Sequence, residues 1–140
     1  MVFGEKLPKG PIVQLESPFS PSNGYPVQFN IAYARRALRD SILRLETPFA
    51  SHLLYTQDGV LDDDVPNERA LGIQTGFRLL NQNVVSKSVI YVDYGISRGM
   101  IEGIREALDN NVRIEIRSIL EDRMTIKELM DAWLVIKSLL

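Results

Sequence analysis

The stretch Asp93-Tyr94-Gly95-Ile96-Ser97-Arg98-Gly99-Met100 gathers residue types that suit chemistry. An acidic residue closes an apolar run, a glycine turns the chain, and Ser97 stands where it would N-cap the next helix. The N–H groups at that helix start, the Ser97 hydroxyl and the Arg98 guanidinium together suit a phosphate or carboxylate. Gly99 would let a ligand approach the backbone closely. The same residues also describe an ordinary capped helix with a solvated arginine. Asp93 would accept a hydrogen bond from a ribose hydroxyl or act as acid or base, and equally would cap its own turn.

A second group is Glu16-Ser17-Pro18-Phe19-Ser20. Phe19 could stack a base while Ser17 and Ser20 bond a sugar or phosphate; the alternative is a proline-rich loop with an incidental aromatic. Tyr25 and Tyr94 are weaker stacking candidates. His52 is the sole histidine, so a multi-histidine metal site is excluded and a catalytic triad has one base available. It also reads as a hydrogen-bonded structural residue on a strand. Asp62-Asp63-Asp64 lacks the spaced ligands and trailing glutamate of a calcium loop. It reads better as an acidic loop at the positive end of the following helix, where Arg69 could pair with it or reach a neighbouring subunit.

These residues need a scaffold, and the chain can supply one. Its 140 residues, 45% hydrophobic and 24% charged, fit a single domain over residues 1–140 with a real core. The lack of cysteine excludes disulfides, thiolate metal sites and a cysteine nucleophile. A net charge of −2 argues against a nucleic-acid partner. No apolar run approaches the roughly 18 residues of a spanning helix, and Met1 to Gly10 has no signal-like stretch. The expectation is a soluble cytoplasmic domain with no membrane partner.

Strand and helix patterns alternate along it. Residues 1–11 form a loose arm, and Ile12 to Leu15 a buried first strand. Gln28 to Leu45 is a helix with the stripe Ile31, Ala34, Leu38, Ile42 and Leu45, its arginines mostly solvated. Phe49 to Tyr55 reads as a second strand, Asn67 to Leu80 as a helix, and Ser88 to Val92 as a central strand. Arg98 to Leu108 is the next helix and Val112 to Arg117 an alternating edge strand. A final helix over 124–140 opens on a capping box from Thr125 to Glu128 and packs Leu129, Trp133, Ile136 and Leu140 into the core or, as the second choice, against another subunit.

Such alternation predicts an α/β fold: a flavodoxin-like or Rossmann-like three-layer sandwich with a mainly parallel sheet of four to five strands. Ligands of such sheets lie beyond the carboxyl ends of the strands. Those ends are Glu16-Ser17, His52 to Gln57, and Asp93 to Gly99.

The order of motifs carries a resemblance. Ser17-Pro18-Phe19-Ser20, Asn30, Pro48 to Thr56, Asp62-Asp63-Asp64, Glu68-Arg69, Leu71-Gly72-Ile73, and Asp93 with Gly95 to Met100 together resemble an uncharacterised bacterial and phage domain family. That family is similar to the nucleoside 2-deoxyribosyltransferase-like superfamily. The resemblance implies nucleotide or nucleoside binding, a homo-oligomer, no cofactor and no metal. The activity implied is cleavage or exchange of N-glycosidic bonds in deoxynucleosides or their monophosphates. It assigns the phosphate to Ser97, Arg98 and Gly99, and sugar or base contacts to Asp93. The nucleophilic glutamate of relatives falls at Gly103 here, so Glu102 or Glu16 would have to serve. Losing that glutamate equally suits a non-catalytic binder that senses or sequesters a nucleotide-derived signal; a structural assembly protein is the third expectation.

Overall fold

The computed structural model describes residues 4–120 and 126–140. Four parallel strands form one sheet in the order β2-β1-β3-β4, where β1 is Ile12–Glu16, β2 Thr47–Phe49, β3 Lys87–Tyr91 and β4 Arg113–Arg117. The helices are α1 (Val27–Leu43), α2 (Ser51–Leu54), α3 (Pro66–Leu80), α4 (Arg98–Asp109) and α5 (Ile126–Leu139). Parallel neighbours require crossovers, and these place helices on both faces of the sheet. The result is an α/β, flavodoxin-like or Rossmann-like three-layer fold.

Alternation along the strands builds two cores. Val13, Leu15, Val89 and Tyr91 face α1 and meet Tyr33 and Ala37. Ile90 and Val92 face the other way, toward Met100, Ile101 and Ile104 of α4 and Ile136 of α5. Of the inner strands, β3 is apolar toward both helical layers, which is why it reads as a β-branched run, whereas β1 turns Gln14 and Glu16 away from α1. As its pattern predicts, β4 lies at the sheet edge.

Three expectations change. Phe49 to Tyr55 is not a strand: β2 stops at Phe49 and the chain winds into α2. Pro48 withholds a ladder donor, which only an edge strand tolerates, and Ala50 to Tyr55 has no β-branched residue. The amides of Leu53, Leu54 and Tyr55 instead bond back to Ala50 and Ser51.

In α1 the buried stripe is Asn30, Tyr33, Ala34, Ala37 and Ser41, while Ile42 and Leu45 are exposed. The polar members turn inward because each has a partner there. Asn30 donates to the carbonyls of Phe19 and Ser20, Tyr33 to Asp93, and Ser41 to Glu46.

In α5, Ile136 is fully buried, but Trp133 is 37% exposed and Leu140 lies at the surface. The helix is anchored by Ile136 and by the Arg105 guanidinium, which donates to the Leu139 carbonyl at 2.6 Å. The expected capping box at Thr125 to Glu128 lies outside the residues whose side chains are described. Among the described residues no helix is long and apolar enough to cross a membrane.

Candidate functional site

Strand order reverses between β1 and β3, because α1 leads from β1 outward to β2 while α4 leads from β3 outward to β4. Two connections leaving in opposite directions open a crevice at the strands' carboxyl ends. A cavity of about 110 Å³ lies there, walled by the β1 end, α2, α3 and the start of α4.

Glu16, the last residue of β1, sits in this cavity against α4. Glycine at position 103 leaves room for this carboxyl. A Cβ there would lie 2.5 Å from one Glu16 carboxylate oxygen and 2.8 Å from the other. Burial pushes the Glu16 carboxyl up to about 8, with the Gln14 side chain acting weakly against it. It therefore holds its proton at neutral pH and can donate it.

The next residue turns into a second polar pair. Ser17 is buried, and its hydroxyl lies 2.7 Å from Nε2 of His52 on α2. Burial lowers His52 to about 4, so its ring is neutral and the pair carries no charge. The edge of Phe19 meets the His52 ring, with centroids 6.5 Å apart. Asn30 fixes this lip from below through the Phe19 and Ser20 carbonyls and through Asn23.

The far wall is one face of α3, where Glu68, Arg69, Gly72, Ile73 and Phe77 recur at helical spacing. Glycines let α2 and the preceding loop close on this helix. A Cβ at Gly76 would lie 2.8 Å from the Ser51 Cβ, and one at Gly72 3.2 Å from Leu61. The acidic loop braces itself: Asp62 accepts from the Asp64 amide, Glu68 from the Asp62 amide, and Asp63 pairs with Arg69 at 3.4 Å. On α4, Ser97 caps the helix as its sequence predicts, accepting from the Met100 amide at 3.2 Å. Ser97, Gly99 and Glu102 all border the cavity.

The structure thus brings Glu16, Ser17, Phe19, His52, Ser97, Gly99 and Glu102 together around one cavity. It leaves two expected site residues out. Asp93 is absent from the lining because its carboxylate is occupied by fold contacts. The Tyr33 hydroxyl donates to it at 2.6 Å and the Ile119 amide at 3.0 Å, and the Ser118 hydroxyl also donates. Arg98 is exposed and does not border the cavity. Tyr25 and Tyr94 pack with Phe29 and Tyr33 in an aromatic cluster instead of facing the cavity.

Sequence marks Glu68, Arg69, Gly72 and Ile73 of the α3 wall as motif residues and gives none of them a place in the site. The signal was present in the glycines at 72, 76 and 103, each marking a close approach. Among the described residues no group of three His, Asp or Glu side chains could hold a metal.

No curated protein and no solved structure matches the chain. A family profile described as Domain of unknown function (DUF7768) matches residues 11–117, which runs from the start of β1 to the end of β4 and includes every wall of the cavity. The chain belongs to this DUF7768 family.

Proposed function

We propose that the chain binds a nucleoside or nucleotide at the β1/β3 crevice and cleaves its N-glycosidic bond, deoxynucleosides and their monophosphates being the substrates to try. One observation carries the reading. The Glu16 carboxyl fills the space that a side chain at position 103 would occupy. The superfamily resemblance puts the reactive glutamate at that position, and Glu16 supplies a carboxyl there from the opposite wall.

Glycosidic cleavage needs a proton donor for the leaving group and a second carboxylate for the anomeric carbon. Glu16, protonated at neutral pH, gives its proton to the departing base nitrogen as the C1′–N bond breaks. Glu102, on the adjoining α4 wall, attacks C1′ to form a glycosyl ester. Water then hydrolyses the ester and its proton returns to Glu16. Ser17 and His52 bond a sugar hydroxyl, and Phe19 stacks the base. A cytoplasmic homo-oligomer belongs to the same reading, with a second copy covering the exposed Met130, Leu134, Val135 and Leu139 of α5.

Incubation with each of the four 2′-deoxynucleosides and its 5′-monophosphate, followed by chromatography for free base, tests the activity. Base release is expected from the unaltered chain and not from Glu16→Gln. No free base from any of them, at high protein and long times, would reject cleavage. Glycine at position 103 favours a second reading, a binder without turnover. It predicts thermal stabilisation by the same compounds with no base released.

A further inference from the structure

We infer that this crevice selects an unphosphorylated nucleoside and turns away the matching 5′-monophosphate; the inference rests on the nucleoside-binding reading above. The charge around the cavity carries it. Asp63, Glu68 and Glu102 border it beside the protonated Glu16, and Arg69 is the one Lys or Arg among the lining residues. That guanidinium is already committed, to Asp63 at 3.4 Å. Arg98, the cation that sequence assigned to a phosphate, stays outside the lining.

The approach is acidic too. A wider recess of about 760 Å³ adjoins the cavity and shares Phe19, Thr56, Asp63 and Arg69 with it. Its own walls add Asp58, Asp62 and Asp64 without a further cation. A phosphate dianion would cross one acidic surface to reach another, losing both encounter rate and affinity.

The polar groups that remain suit a neutral ligand. Ser17 and His52 form an uncharged pair able to donate to and accept from a hydroxyl, with nothing to neutralise a phosphate.

Titration calorimetry of the full chain with the four 2′-deoxynucleosides and their 5′-monophosphates, at low and high salt, tests this. At low salt at least one nucleoside should bind roughly tenfold or more tightly than its monophosphate, and added salt should narrow that gap. Asp63→Asn removes one negative charge and releases Arg69, so it should tighten monophosphate binding by roughly three- to tenfold. Glu68→Gln should act in the same direction without touching the Arg69 pair. Monophosphates that bind as well as or better than nucleosides would overturn the inference and leave the nucleotide reading standing. A preference for nucleosides that ignores salt and both charge variants would overturn its electrostatic basis. No binding by either series would reject the nucleoside-binding reading itself.

Discussion

Glu46 and Glu16 are both withdrawn from bulk water, one just before β2 and the other at the end of β1, and their surroundings drive them in opposite directions. Glu46 accepts two bonds from Arg117, at 2.6 and 2.7 Å, one from Ser41 at 2.8 Å, and faces Lys87 at 3.1 Å. The Arg117 bonds pull it down to about 2 against the effect of burial. Arg117 in turn reaches Glu115 and the Tyr91 hydroxyl, and Tyr91 donates to Asp40. Every charge there has a partner, so the region is saturated and has nothing left for a ligand. Glu16 has a glycine beside it and no cation, and burial leaves it protonated. An uncompensated carboxyl in a cavity is the kind of group that chemistry uses, whereas a saturated one holds a fold together.

The largest expected effect comes from breaking the saturated region. Arg117→Ala should cost about 3–5 kcal/mol, because it leaves a buried Glu46 carboxylate with half its partners. Urea denaturation measures this. Replacing both charges together, Arg117→Met with Glu46→Leu, should be near neutral or stabilising. A small loss from Arg117→Ala alone would end the claim that this network is structural.

The next effect is a dependence on pH with opposite signs in the two regions. The folded value for Glu16 is raised from 4.5 to about 8, so its share of stability is full below pH 4.5 and is lost as pH rises through 8. Glu46, lowered from 4.5 to about 2, contributes above pH 4.5 and is lost as pH falls through 2. His52, lowered from 6.5 to about 4, adds to the acid side, with its share present above pH 6.5 and lost through 4. Between pH 6.5 and 8, where Glu16 acts without His52, the slope should reach about 1.4 kcal/mol per pH unit at most. Glu16→Gln should flatten the fall between pH 6.5 and 8 and, between pH 4.5 and 6.5, uncover the rise that His52 gives and Glu16 offsets. Denaturation series at pH 5, 7 and 8.5 on both chains would show it.

How much of this was legible in the sequence follows from what each signal depends on. The β-branched run of β3 and the alternation of β4 are local, so strand identity and the α/β class could be read directly. The crevice followed from topology, and Ser97 as a cap followed from its position before a helix. Asp93 misled because a strand-end carboxylate looks the same whether a ligand or the chain's own Ser118 and Ile119 reach it. His52 reads as a strand residue because Pro48-Phe49 begins a strand, while the turn into α2 depends on where β2 runs out of partners. Glu16 is legible as a strand end at the crevice and as a substitute carboxylate, and its surroundings are not. Its importance lies in a contact with Gly103 that spans most of the chain.

That contact gives the third prediction. Gly103→Ala puts a methyl group where the Glu16 carboxyl sits, and a carboxyl at the end of a flexible side chain moves more easily than α4. Overpacking costs roughly 1–3 kcal/mol where nothing yields, so the lower end of that range is expected. Base release should nevertheless fall about as far as in Glu16→Gln. Moving the carboxyl instead of deleting it, with Glu16→Ala and Gly103→Glu together, should recover part of the activity. Full activity in Gly103→Ala would show that the position of Glu16 is irrelevant.

The smallest effect concerns the polar group in the cavity that most resembles the saturated region. The Ser97 oxygen accepts from the Met100 amide at 3.2 Å, so Ser97→Ala should cost about 1 kcal/mol as a lost helix cap. If Ser97 also held a phosphate, the same change would weaken a 5′-monophosphate more than a nucleoside. The acidic lining predicts otherwise: nucleoside and monophosphate affinities should keep their ratio in Ser97→Ala, both changing by about twofold or less. Calorimetry on this one variant therefore separates a cap that borders a site from a residue that belongs to it. A selective loss for the monophosphate would move Ser97 into the binding machinery and reopen α4 as an anion site.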